Sequence, residues 1–141
     1  MAKSLALAIP GCRLENRGGR TLASLISKAR HFHFDRICTI YEEKGKPHEI
    51  AFMEIGEESG WGWLSPRIKI NRVSFPRKPF AKIRQSNRLQ ISGPRARILA
   101  YLLSPRNSSD EAESMIASSS NKLSILVANK KLLGLGVRYE K

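Results

Sequence analysis

The alternation of apolar and polar positions divides the chain into short helices and strands. Lys3 to Ile9 reads as the end of a helix, stopped by Pro10-Gly11. A second helix follows Thr21, which can cap it. There Leu22, Leu25, Ile26 and Ala29 recur on one face at helical spacing, while Arg20, Lys28 and Arg30 lie off it. Asp35 to Glu42 holds the nearly continuous β-prone run Ile37-Cys38-Thr39-Ile40-Tyr41, which predicts a strand covered on both faces. Glu43-Lys44-Gly45-Lys46-Pro47 is a turn, and Glu49 to Ile55 completes a hairpin. In Pro66-Arg67-Ile68-Lys69-Ile70 the period is two, so a strand there buries Ile68 and Ile70 and leaves Arg67 and Lys69 in water. Val73 and Phe75 fall out of phase with those isoleucines across Arg72, which predicts a bulge or a strand end.

From Pro76 to Gln85 prolines and cations dominate, the pattern of a linker. Arg88 to Ser92 restarts the strand pattern with Leu89 and Ile91 on one face. Gly93-Pro94 then hands over to a helix carrying Ile98, Leu99, Leu102 and Leu103, ended by Pro105. Ser108 and Glu111 fit a capping box, and Ala112, Met115 and Ile116 supply the apolar stripe of a further short helix. Leu123, Ile125 and Val127 alternate with polar positions before Asn129-Lys130-Lys131, and Leu132 to Tyr139 completes a terminal hairpin. This order describes an α/β fold of two similar halves, approximately 1–75 and 86–141, joined by a basic linker at 76–85. With 141 residues, 41% of them hydrophobic, the chain suffices for one domain, 1–141.

Charge narrows the class of partner. The 25 Lys and Arg residues exceed the 12 Asp and Glu by a net +13, more than solubility requires, so a polyanion is expected, with nucleic acid ahead of an anionic membrane. Between Ser59 and Ser109 lie eleven Lys or Arg residues and no Asp or Glu. Closely spaced cations on an ordered strand are what a phosphate backbone rewards, because each neutralised phosphate releases condensed counterions. Arg67, Lys69, Arg72, Arg77, Lys78, Lys82, Arg84 and Arg88 form the candidate RNA track, and Arg17 and Arg20 flank a second candidate, the turn at Gly18-Gly19. A merely solvated basic face is the plain alternative. Six of the twelve acidic residues fall between Glu42 and Glu58, so that hairpin is expected to face away from RNA. Trp61 and Trp63 precede the cationic strand and could stack on unpaired bases, although core filling is the more common fate of Trp.

Catalytic signals are absent. No phosphate-loop, dinucleotide or nucleophile-elbow motif occurs, and the adjacent acids Glu42-Glu43 and Glu57-Glu58 fit solvated turns. His31, His33 and His48 lack ligand spacing, so no metal, cofactor or enzymatic activity is expected. Cys12 and Cys38 form no recognised motif and read as buried small hydrophobes. No apolar run approaches the roughly 20 residues of a spanning helix, and a cytoplasmic location without membrane contact is expected.

The chain resembles Brix-domain proteins of the short archaeal type. Carrying the resemblance are Asn16-Arg17-Gly18 before a Leu-rich helix, Asp35-Arg36-Ile37 opening a strand, Glu43-Lys44-Gly45-Lys46-Pro47 in its turn, and Gly60-Trp61-Gly62-Trp63-Leu64 before Arg67-Ile68-Lys69-Ile70. They run in order from about Ile9 to Phe75; beyond that only the sequence of elements agrees. The resemblance implies a mixed β-sheet with packed helices, in two α/β halves similar to the anticodon-binding domains of some aminoacyl-tRNA synthetases. It also implies a non-catalytic ribosome-biogenesis factor that binds ribosomal RNA or its precursor, with ribosome-assembly proteins as further partners. A structural ribosomal protein, another RNA-binding module of the anticodon-binding type and an RNA-processing enzyme are the rival readings. One departure stands at the start. Such domains open with a strand bearing a Thr-Ser-Arg-like segment and a basic helix, of which only the helix tail, Ser4 to Ile9, is represented; either the start is assigned too late or part of the first half is lacking, and a missing strand would expose a sheet edge.

Overall fold

Strand-forming runs outnumber helical ones, and the fold is a sheet with helices laid on it. The computed structural model describes residues 1–75, 85–105 and 113–141. In chain order the elements are α1 (Ala2–Ala8), α2 (Leu22–His31), β1 (Arg36–Glu43), β2 (Lys46–Ile55), β3 (Trp61–Trp63), β4 (Arg67–Ser74), β5 (Leu89–Ser92), α3 (Ala96–Leu103), β6 (Ser114–Ser118), β7 (Lys122–Val127) and β8 (Lys130–Glu140). The strands form one eight-stranded sheet in the order β1-β2-β4-β8-β7-β6-β5, with β3 also pairing β2. β5 and β6 run parallel, as a strand–helix–strand crossover requires, and the other neighbours are antiparallel.

α1 and α3 lie against one face over the main core, which includes Ile50, Phe52, Ile68, Leu89, Leu102, Ile125 and Leu133. α3 contacts both β5 and β1, the two ends of the sheet, so the sheet curls around it. Arg36 at the start of β1 donates to the Tyr101 carbonyl at 3.5 Å, and the Ser104 hydroxyl lies 3.3 Å from Asp35 Oδ2. α2 covers the opposite face at the β1–β2 end through Ile26, Ala29, Met53 and Ile55. Its cap is the expected one, with Thr21 Oγ1 accepting from the Ser24 amide at 3.2 Å. The Gln85 amide also ties the chain before β5 to α1, reaching the carbonyls of Ala6, in that helix, and Cys12, four residues beyond it, at 2.9 and 2.7 Å.

Three expectations change. The short helix through Met115 and Ile116 is strand β6, while Ser108 to Ala112 lie outside the described residues. Spacing of the apolar residues was compatible with either period, and parallel pairing to β5 selects two, burying Ser114 and Ile116. β1 touches apolar groups on both faces, Ile37 in the α2 cluster and Ile40 against the main core, yet none of its residues is buried. It is an edge strand. Cys38 on that strand is exposed and Cys12 half-buried, so neither is a core residue.

The break in phase on β4 is a bulge. Register shifts between Ile70 and Arg72 against β8, and the facing Gly136 leaves room for it. A Cβ at Gly136 would stand 2.2 Å from Asn71 Oδ1. The terminal hairpin turns on Ala128 and Asn129, at φ 50° and 61°, the doubly left-handed turn that suits strand twist.

Candidate nucleic-acid interface

β3 and β4 follow one another along the same edge of β2 and share its register. Met53 faces Trp63, Ile55 faces Trp61, and Glu49 faces Lys69. Residues directly opposite in an antiparallel pair project to the same side. Trp61, Trp63, Arg67 and Lys69 therefore stand in one row on the face that carries α2, while Leu64, Ile68 and Ile70 turn into the main core. Trp61 and Trp63 are 49% and 37% exposed, so they do not fill the core. Their rings meet edge to face with centroids 6.5 Å apart, and the Arg67 guanidinium carbon lies 5.3 Å from the Trp63 ring centre.

Arg30 was not among the expected site residues, yet it sets the position of this row. From α2 its Nε donates to the Gly56 carbonyl at 3.2 Å and its Nη2 to the Gly60 carbonyl at 2.8 Å, clamping the turn before Trp61. The turn needs both glycines. A Cβ on Gly56 would fall 2.3 Å from the Ser59 carbonyl oxygen, and Gly60 holds φ +86°.

The cations on β4 are not free. Glu49, 6% exposed, accepts from Arg67 Nη1 at 2.9 Å and pairs with the Lys69 ammonium. The hydrogen bond from Lys69 holds its carboxyl below the usual range, with Arg67 adding to the effect and burial opposing it. The acidic hairpin thus reaches into the cationic row, contrary to its expected position away from it. One carboxylate between two cations still leaves a positive charge. Arg72, in the bulge, is exposed and has no ion-pair partner among the described residues. Across the sheet, Lys69 faces Arg138 of β8, which pairs with Glu140. Sequence offered no sign of Arg138, because cross-strand neighbours separated by half the chain carry no local signal.

A second basic cluster surrounds Glu15 in the segment between α1 and α2. Arg20 and Lys28 each lie 2.8 Å from its carboxylate and Arg13 at 3.0 Å. Hydrogen bonds from Lys28 and then Arg20 bring the Glu15 carboxyl down to about 2. Three cations on one acid leave two positive charges uncancelled. Arg17 Nε donates to the Arg20 carbonyl at 3.3 Å, across the turn in which Gly18 takes φ +53°. Arg88 is exposed but precedes β5, so the expected track is not contiguous in space. Four strand spacings separate β4 from β5, about 19 Å along the sheet. Arg77, Lys78, Lys82 and Arg84 lie outside the described residues. Among the described residues no helix is long and apolar enough to cross a membrane.

No family model matches the chain, and no curated protein matches it. Solved structures do. A probable ribosomal biogenesis protein from Aeropyrum pernix K1 aligns with TM-score 0.72 at 18% identity, over 96% of this chain and 84% of that one. Mil, an archaeal Imp4-like protein, aligns with TM-score 0.63 at 20% identity, over 96% of this chain and 85% of its own. The curled mixed sheet with its packed helices is common to them, and the chain has a Brix-type fold.

Proposed function

We propose that this chain is a Brix-domain protein acting as a single-domain, non-catalytic RNA-binding factor in ribosome biogenesis, engaging ribosomal RNA or its precursor in the cytoplasm together with ribosome-assembly proteins. The observation that carries the reading is that both basic clusters hold more cations than their carboxylates cancel, on a chain of net +13. The fold shared with a structure named as a ribosomal biogenesis protein supports the cellular process. Arg67, Lys69 and Arg72 take phosphates along β4, and Arg17 and Arg20 take them at the glycine turn. Arg77, Lys78, Lys82, Arg84 and Arg88 are proposed as further phosphate contacts on the strength of the sequence alone.

The test is a titration of precursor ribosomal RNA fragments at several salt concentrations. Affinity is expected to fall by about 0.7 log units per log unit of salt for each single-strand phosphate neutralised, and Arg72→Ala is expected to lower that slope by about one such increment. Salt-independent affinity overturns the proposal. Co-sedimentation with precursor particles is expected; association with mature subunits alone marks a structural ribosomal protein instead.

A further inference from the structure

Trp61 and Trp63 do nothing for the core. Each leaves more than a third of its surface in water, whereas Leu64 beside them is buried. Single exposed rings are ordinary, as at Phe75 and Tyr101, but Trp61 and Trp63 touch each other and make one apolar patch, the arrangement that marks interaction sites. The turn that bears them is held by two Arg30 hydrogen bonds, at 3.2 and 2.8 Å, so their placement is built rather than incidental. The row continues directly into Arg67 and Lys69, which together carry one charge more than Glu49 cancels. Aromatic faces next to fixed cations match a single strand of nucleic acid, whose bases stack while its phosphates pair. In a duplex the bases are stacked on one another and do not offer their faces to a side chain.

We propose that Trp61 and Trp63 form a stacking site for unpaired RNA bases, with Arg67 and Lys69 receiving the adjoining phosphates. The site has a direction. Glu57 and Glu58 lie in the turn beyond Trp61 and repel phosphate, so the strand's backbone runs from Trp63 toward Lys69 and Arg72. This deepens the RNA-binding reading and rests on it.

The chain contains two tryptophans, both in this site, so their emission reports on it alone. The full chain is titrated with a fluorescein-labelled single-stranded oligouridylate, following label anisotropy, and with the unlabelled oligomer, following tryptophan emission. A blunt RNA duplex of equal length serves as comparison. Saturable quenching by the single strand but not the duplex is expected, with affinity falling roughly tenfold for Trp63→Ala and less for Trp63→Phe, which keeps a stacking ring. Thermal melting of both variants checks that they fold. Binding seen by anisotropy with unchanged emission, and unchanged affinity in Trp63→Ala, overturns the stacking site while leaving RNA binding intact. No anisotropy change with any RNA overturns the RNA-binding reading itself. An emission shift that tracks protein concentration without RNA assigns the rings to contact between copies of the chain, and likewise overturns the proposal.

Discussion

The N-terminal and C-terminal halves of the sheet are finished differently. In the second half β6 lies between β7 and the parallel strand β5, and its Ser114 and Ile116 are buried. Ser114 Oγ secures that position further, 2.6 Å from the Ala8 carbonyl and 3.0 Å from that of Arg88. In the first half β1 has β2 on one side and, among the described residues, no strand on the other. Its outer side opens on a groove of about 830 Å³ facing the segment from Pro10 to Arg17. No residue of β1 is buried, although its run of Ile37, Cys38, Thr39, Ile40 and Tyr41 is as β-prone as anything in β6. A strand's burial is set by what flanks it as much as by its own side chains.

Truncation tests the contrast most severely. Ile116→Ala is expected to destabilise the protein by about 2–5 kcal/mol, the usual cost of emptying a closed core site, and Ile40→Ala by less than half of that. Urea denaturation measures both; equal losses would break the comparison.

The next effect concerns the two carboxylates that hold cation clusters. Glu49→Gln is expected to cost about 1–2 kcal/mol, below the cost of breaking a fully buried pair because Arg67 and Lys69 keep some contact with water. RNA affinity should rise at the same time, since two cations are released. Glu15→Gln should raise affinity too, with little change in stability, because its cluster lies at the surface. Chemical denaturation and RNA titration on the same samples separate the cases. A Glu49→Gln variant that binds RNA more weakly would show that the carboxylate orders the site rather than competing for it.

A pH dependence follows from the same groups. Both carboxyls titrate lower in the folded chain than in the unfolded one, Glu15 near 2. The stabilisation from Glu49 is therefore complete above the ordinary value of 4.5 and is lost as pH falls through its depressed folded value, while the surface cluster of Glu15, screened by solvent, adds little. The melting temperature of the natural sequence should decline below about pH 4.5, with a shallower decline in Glu49→Gln. Identical slopes would mean that the Glu49 pair contributes nothing to folding.

Hydrogen exchange offers the finest comparison. Those β1 amides that point away from β2 should exchange faster than the corresponding β6 amides that face β5, by local opening without global unfolding. Equal protection would mean that the β1 edge is closed in solution.

Much of this architecture was legible in the chain itself, for reasons that can be traced residue by residue. Ile68 and Ile70 alternate with Arg67 and Lys69, and burial follows that alternation. Thr21 stands where a cap is needed, and the break in phase after Ile70 became a bulge. Met115 and Ile116 did not betray their strand, because with Ala112 they make three apolar positions that fit a helical stripe as well as a strand until a partner is specified. The site was legible in part. The cations of β4 were visible, whereas Glu49 between them was assigned to the opposite side, because its pairing with Lys69 depends on how β2 and β4 register.

Local pattern determined most of the strands and helices, where they turn, and that the chain carries a large positive excess, since each depends on neighbours within a few residues; β6 is the exception, made a strand by its pairing with β5. Tertiary structure decided which charges cancel, which tryptophans stay in water and which strand is left at an edge. Those outcomes depend on distant segments meeting at a particular register, and a chain read residue by residue does not contain that distance.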